Sequence, residues 1–313
     1  MTAVSRGAAG RIWRLDLAAG RYAVKELFTE PDEQPDEQSV RREVAVTEHL
    51  EAAGIRLPRS LPGPGGRFLV PLGQDAGIAW LRLYQWIDGV PPDLTDPGLA
   101  AQIGDLLGRL HVHAPPPLGT ADPWYETTPD PATWDQLAHA ARAQGAGWGH
   151  ALVARANLLR ELAALVTPAD NDRLVTCHQD LHPDNVLATD SGDLVPLDWD
   201  DTGPACPDRE LAGLLMFWHV NEDGQSDDAA VQRTLAAYHA AGGPGHVRDE
   251  QSFGMYLAAR LNFLHGQATV ALDPSTTPEH RRYACTEISD TLARLPALPL
   301  MSHLIRLAAS AGD

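Results

Sequence analysis

Apolar and polar residues alternate in two runs near the start of the chain, RIWRLDL (Arg11 to Leu17) and YAVKELF (Tyr22 to Phe28), joined by AAGR (Ala18 to Arg21). A period of two reads as half-buried strand, and the small residues between the runs read as a turn. The next stretch, TEPDEQPDEQ (Thr29 to Gln38), has almost nothing to bury and is expected to be an exposed loop. The period then changes. In VRREVAVTEHLEAAG, Val40, Val44, Thr47 and Leu50 fall near one face of a helix that Ser39 is placed to cap and Gly54 to end. A Pro/Gly-rich loop (Leu57 to Arg67) leads to FLVPL (Phe68 to Leu72), a turn GQDAG and IAWLRLYQWI (Ile78 to Ile87).

DGVPP (Asp88 to Pro92) breaks this order, and the pattern beyond it is mainly helical. Leu99, Ile103, Leu106, Leu107 and Leu110 recur at helical spacing in a helix ending near His111 to His113. The segment from Ala114 to Trp134 is Pro-rich and expected to be irregular, and further helices fit Trp134 to Ala143 and His150 to Leu165. Short strands are expected around LVTCH, NVLAT and LVPLD. From Asp208 onward the pattern is helical, interrupted at Gly242 to Gly245 and at Asp273 to Pro278. This order predicts an α+β chain with an N-lobe of residues 1–87, sheet plus one helix, and a mainly helical C-lobe of residues 88–313.

Composition narrows the class. The chain has 313 residues, 44% of them apolar, enough for a sizeable core in one large domain or two lobes sharing a cleft. No stretch approaches the ~18 uncharged apolar residues of a membrane span, and the opening lacks the apolar run of a secretory signal. Three cysteines (Cys177, Cys206, Cys285) without paired spacing fit a reducing cytoplasm rather than a disulfide scaffold. The formal charge of −18, from 42 acidic against 24 basic residues, repels phosphate backbones and argues against nucleic acid or an anionic membrane as partner. It also favours a cationic substrate, although the same surplus serves solubility and locates no site.

The chemistry concentrates in CHQDLHPDNVLATDSGDLVPLDWDDTGP, Cys177 to Pro204. Phosphoryl transfer needs a carboxylate to orient the attacking hydroxyl, hard oxygen ligands for Mg²⁺ and a lysine to anchor phosphates. His178, Asp180 and Asn185 reproduce the H-x-D-x-x-x-x-N spacing of a kinase catalytic loop, with Asp180 facing the acceptor and Asn185 turned towards a metal. Asp198, directly after the apolar run Leu194 to Leu197, stands where the second metal ligand belongs. Upstream, Lys25 sits inside an apolar strand, where a lysine is costly unless paired, and Glu43 on the next helix is its expected partner. Gly7, Ala8, Ala9 and Gly10 precede the first expected strand and allow backbone to approach a phosphate.

On these residues the chain resembles the aminoglycoside phosphotransferase family, which includes antibiotic kinases and is similar to choline, homoserine and other small-molecule kinases. HQDLHPDNVL (His178 to Leu187), LDWDD (Leu197 to Asp201), GPACPDRELAGL (Gly203 to Leu214), IGDLLGRLH (Ile103 to His111), AVKEL and RREV carry the resemblance across nearly the whole chain. It implies a protein-kinase-like two-lobed fold. It further implies Asp180 as the residue that positions the acceptor hydroxyl and takes its proton, Asn185 and Asp198 as Mg²⁺ ligands, and Lys25, held by Glu43, on the α/β-phosphates. The linker Tyr84 to Asp88 would be the hinge against the base, through backbone groups of Gln85 and Ile87; ATP and GTP are equally compatible with that. The acceptor implied is a small hydroxylated molecule: an aminoglycoside or similar cationic antibiotic, or an amino alcohol, amino sugar or natural-product intermediate. Gln179, Asp184 and Glu210 depart from the usual family residues, none of them at a ligand position.

Other readings are weaker. His178 and His182 have a zinc-like spacing, but Pro183 disfavours the helix that would align them, and Gln179 stands where a hydrolase needs an acid. His178 is expected to brace the loop, and His111 and His113 to cap a helix or lie on the surface. Trp80, Trp86, Trp199 and Trp218 lie in apolar runs and read as core rather than as an ammonium cage. Glu222 to Asp228 reads as a solvated acidic loop as readily as an acceptor site. A protein kinase is disfavoured because Trp-Asp follows Asp198 and no A-P-E segment is present, and a non-catalytic pseudokinase because no catalytic position is substituted.

Overall fold

The computed structural model describes residues 1–8, 10–28, 35–73 and 79–310. Ala9, most of the acidic loop expected from Thr29 and most of the GQDAG turn lie outside the described residues. The strands are β1 (Thr2–Arg6), β2 (Gly10–Leu17), β3 (Gly20–Leu27), β4 (Ser60–Leu61), β5 (Val70–Leu72), β6 (Ala79–Gln85), β7 (Val175–Cys177), β8 (Val186–Ala188), β9 (Leu194–Pro196) and β10 (Gly203–Ala205). The helices are α1 (Glu37–Ala52), α2 (Leu99–His113), α3 (Pro123–Glu126), α4 (Pro131–Ala143), α5 (Trp148–Ala164), α6 (Pro207–His219), α7 (Asp228–Ala240), α8 (Gly254–Leu272), α9 (Pro278–Ala293) and α10 (Leu298–Ser310). The chain divides into two compact units, one of Met1–Asp93, His113–Pro115 and Asp180–Thr202, the other of Leu94–Val112, Pro116–Gln179 and Gly203–Asp313.

In the first unit, six strands form an antiparallel sheet in the order β1-β2-β3-β6-β4, with β5 also paired to β6. The β2–β3 hairpin pairs from Gly10↔Leu27 down to Leu17↔Gly20, so AAGR turns with only Ala18 and Ala19 unpaired. The strand β1 has no counterpart in the sequence expectation. Its residues are almost wholly exposed, so no apolar alternation marks it. Helix α1 starts earlier than expected, because Asp36 caps it by accepting from the backbone N–H groups of Gln38 and Ser39. Ser39 therefore lies inside the helix. Val40 and Val44 pack with Leu69 and Trp80, flanked by Leu27 and Phe68; each such burial contributes about 1.5–3 kcal/mol. The hairpin β8–β9 belongs to the same unit, and Val90 bridges to its Ala188.

The second unit is helical apart from the short β7–β10 pair. Helix α6 is buried along almost its whole length, and α8 buries Leu257, Leu261, Leu264 and Ala268. Two glycines let α2 approach α7 closely: a Cβ on Gly104 would lie 2.3 Å from the Thr234 carbonyl oxygen, and one on Gly108 2.6 Å from that of Tyr238. The segment expected to be irregular contains the single turn α3, whose Tyr125 packs with Cys177, Ala205 and Met255. No helix among the described residues is long and apolar enough to cross a membrane.

Candidate active site

The sheet of the first unit brings Lys25 of β3 directly opposite Arg82 of β6. Lys25 is buried, and its Nζ donates to Asp198 Oδ1 at 2.5 Å and to Asp200 Oδ2 at 2.7 Å. Burial alone would pull this ammonium down, but the charges and hydrogen bonds of Asp198 and Asp200 outweigh it and hold Lys25 above its ordinary value. Arg82 is 3% exposed. Its two terminal nitrogens donate to both oxygens of Glu43 at 2.7 Å, and Nη1 also reaches Asp200 Oδ1 at 2.6 Å.

This corrects the expected Lys25–Glu43 pair. Glu43 lies on the buried face of α1, but its carboxylate takes the planar fork of Arg82, a bidentate match that an ammonium cannot offer. Burial raises the Glu43 carboxyl above its ordinary range, against the lowering pull of the Arg82 hydrogen bonds.

Asp180 and Asn185 meet directly. Asn185 Nδ2 donates to the Asp180 carbonyl at 2.9 Å and to its Oδ2 at 2.8 Å. His182 Nε2 lies 3.5 Å from the same carboxylate oxygen. Burial lowers His182, yet the hydrogen bond and charge of Asp180 raise it overall. His182 also caps the turn Pro183–Asn185 by accepting from the Asp184 N–H, so His178 and His182 share no helix. The β8–β9 register then returns the chain: Leu197 N–H donates to the Asn185 carbonyl at 2.8 Å, one residue before Asp198. Asp198 adopts φ 55°, a left-handed conformation that Asp tolerates better than most residues.

The donor set fits Mg²⁺. With its amide nitrogen committed to Asp180, Asn185 keeps its amide oxygen for a ligand, and Asp198, one residue after the Leu197 that bonds the Asn185 carbonyl, adds hard carboxylate oxygens.

The small-residue loop spans β1 to β2, with Gly7 N–H donating to the Gly10 carbonyl at 2.9 Å. Gly10 has a packing reason to be glycine, since a Cβ would lie 2.6 Å from the Glu26 carbonyl oxygen; around Gly7 there is open space. In the linker, the Gln85 N–H donates to the Arg59 carbonyl at 2.8 Å, which leaves only its own carbonyl for a ligand. The Ile87 N–H has no partner among the described residues. Arg21 braces the linker through two bonds to Asp88, at 2.6 and 2.5 Å.

Within the second unit, Gln179 is held at φ 71°, and its N–H donates to Glu210 Oε1 at 2.5 Å. His111 bonds Glu210 at 2.6 Å and the Tyr238 hydroxyl at 2.8 Å. His111 is thus fully buried rather than a cap or surface group, and it satisfies one oxygen of the buried Glu210 carboxylate while the Gln179 N–H satisfies the other. Burial alone would raise Glu210, but the His111 hydrogen bond and charge keep it below its ordinary value. Trp80, Trp199 and Trp218 are buried, as the core reading expected. Glu222 and Asp228 are exposed and paired with Arg294 and His303.

Arg82 and Asp200 are the two site residues that the sequence reading did not assign. A signal was available: Arg82 interrupts the apolar run AWLRLY as Lys25 interrupts AVKEL, and LDWDD places Asp200 two residues after Asp198.

A family model described as the phosphotransferase enzyme family matches residues 1–248. The chain belongs to the phosphotransferase enzyme family. No curated protein sequence matches this phosphotransferase-family chain as a relative. Solved structures share its fold at low identity. A spectinomycin phosphotransferase in complex with ADP and spectinomycin matches at 15% identity over 99% of this chain and 92% of that one, with TM-score 0.62. An amicoumacin kinase in complex with AMP-PNP, Ca²⁺ and Ami matches at 16% identity, 94% and 89% coverage and TM-score 0.59. Choline kinase from Cryptosporidium parvum matches at 12% identity, 100% and 93% coverage and TM-score 0.52. The fold of this family member is therefore the protein-kinase-like one, with an antiparallel-sheet N-lobe and a mainly helical C-lobe.

Proposed function

We propose that the chain is a Mg²⁺-dependent phosphotransferase that moves the γ-phosphoryl of a nucleoside triphosphate to a hydroxyl of a small cationic molecule. The observation that carries this reading is the cluster in the first unit: a buried lysine on Asp198 and Asp200, and an Asp180 carboxylate oriented by Asn185. Asp180 accepts the hydrogen bond of the acceptor hydroxyl and takes its proton. Meanwhile the hydroxyl oxygen bonds to the γ-phosphorus, and the bond to the bridging oxygen breaks to release the diphosphate. Asn185 and Asp198 hold the metal. Bound Mg²⁺ supplies neutralisation of charge on the β- and γ-phosphate oxygens. Lys25 binds the α/β-phosphates through donor capacity beyond its two carboxylates, and the Gly7 to Gly10 turn covers them. The Gln85 carbonyl and the Ile87 N–H meet the base, in ATP or GTP alike. Residues 1–87 serve the nucleotide, and residues 88–313 carry the catalytic loop and the acceptor.

For the acceptor, the 18 excess negative charges support a cation. Spectinomycin and choline, named for the neighbours above, set the range to test. An aminoglycoside or similar antibiotic is the proposed class, and amino alcohols and amino sugars complete the panel. The test is Mg²⁺-dependent ADP release across that panel. Acceptor-stimulated release is the expected result. Nucleotide binding without transfer to any acceptor would reduce the chain to a non-catalytic nucleotide binder.

A further inference from the structure

Like charges placed directly opposite each other on neighbouring strands destabilise a sheet unless something compensates them. Lys25 and Arg82 are such a pair, and both are buried. The compensation is an alternating row, Glu43–Arg82–Asp200–Lys25–Asp198, in which every link is a hydrogen bond of 2.5–2.7 Å. Asp200 is the bridge: Oδ1 accepts from Arg82 and Oδ2 from Lys25.

Glu43 alone would suffice to neutralise Arg82. The further bond to Asp200 adds nothing that a simple buried pair requires. A buried pair is also no strong source of stability, since desolvation offsets most of its attraction. Arg82 moreover leaves its Nε buried without a hydrogen bond, a further cost. The division of residue types is equally specific. Lys25 is the only lysine in the chain, against 23 arginines. A planar fork stands where two carboxylates must be spanned, and a compact ammonium where a point charge must also remain open to phosphate.

We infer that Arg82 is a positioning residue of the phosphate-binding site. It takes Glu43 as its own partner, fixes one oxygen of Asp200, and thereby sets where Asp200 holds Lys25. The inference rests on the phosphotransfer reading above. It makes Glu43 act on Lys25 at second hand, through Arg82 and Asp200.

Arg82→Met alone strands the buried Glu43 carboxylate and risks unfolding, so the test uses the double variant Arg82→Met/Glu43→Leu, which removes both charges at similar volume. Circular dichroism and thermal unfolding check that it is folded. Two readouts follow, Mg²⁺·AMP-PNP affinity by calorimetry and the rate of Lys25 modification by an amine reagent at one fixed pH. The chain's single lysine makes the modified peptide unambiguous by mass. With Asp200 released, nucleotide affinity should fall about tenfold or more and Lys25 should label several-fold faster. Adding Asp200→Asn to the double variant should then cost less than the same substitution costs the wild type, because part of the hold of Asp200 on Lys25 is already lost with Arg82. A folded double variant with wild-type affinity and wild-type labelling would overturn the inference, as would full additivity with Asp200→Asn. Wild-type protein that binds no Mg²⁺·AMP-PNP would instead count against the phosphotransfer reading, leaving the labelling comparison to judge Arg82.

Discussion

Asp180 and Lys25 show how a single side chain becomes readable, or fails to, before any fold is known. Asp180 is legible because its neighbours at fixed offsets, His178 and Asn185, reproduce with it the spacing of a kinase catalytic loop. The structure adds that Asn185 bonds both the backbone and the carboxylate of Asp180, so the pair orients as one piece. On the proposed mechanism, Asp180→Ala lowers kcat by about 10²–10⁴-fold. KM for nucleotide and the unfolding temperature should stay near wild type, which steady-state kinetics and thermal unfolding will check. Lys25 was legible by the cost of a charge in an apolar strand. The same argument applies to Arg82, but the sequence alone does not reveal that residues 25 and 82 face each other across β3 and β6. Without that register Glu43 looked like the partner of Lys25. Partner choice is a property of pairing, and pairing is what one-dimensional spacing conceals.

At the scale of elements, periodic apolar residues located α1, α2, the β2–β3 hairpin and the later helices within a few residues. The misses share a cause. Strand β1 is exposed, β4 and β10 are too short for a period to register, and α3 is one turn long. Close packing gives one testable consequence. Gly104→Ala would push a methyl group into the backbone of α7, 2.3 Å from the Thr234 oxygen. Destabilisation of roughly 1–3 kcal/mol is expected, seen as a lower unfolding temperature. A second consequence is pH dependence. His219 at the end of α6 is drawn down to about 4, because burial outweighs the opposing charge of Asp227. Its Nε2 meets the Thr234 hydroxyl at 2.6 Å, and that hydroxyl donates to the Ala100 carbonyl. Below its ordinary pKa of about 6.5 the unfolded chain takes up a proton that the folded chain refuses. Stability is therefore complete above that pH and falls as pH drops towards 4. The loss is on the order of 3 kcal/mol. Denaturant titrations across this range should show the slope, and His219→Gln should flatten it.

For the molecule as a whole, composition placed the chain in a class and the catalytic loop placed it in a family, while the acceptor stayed illegible. No fixed spacing in the sequence marks the residues that would recognise it. Net charge does yield an expectation at this scale. For a cationic acceptor, KM should rise several-fold between about 0.05 and 0.5 M salt, as the Debye length shrinks from roughly 14 Å towards 4 Å. A neutral acceptor should show no such trend. The most direct test of the account is a crystal structure of the protein with Mg²⁺ and AMP-PNP. The account predicts metal on Asn185 and Asp198, Lys25 on the α/β-phosphates, and the γ-phosphate presented towards Asp180. Nucleotide bound elsewhere, or metal that leaves Asn185 and Asp198 untouched, would contradict it.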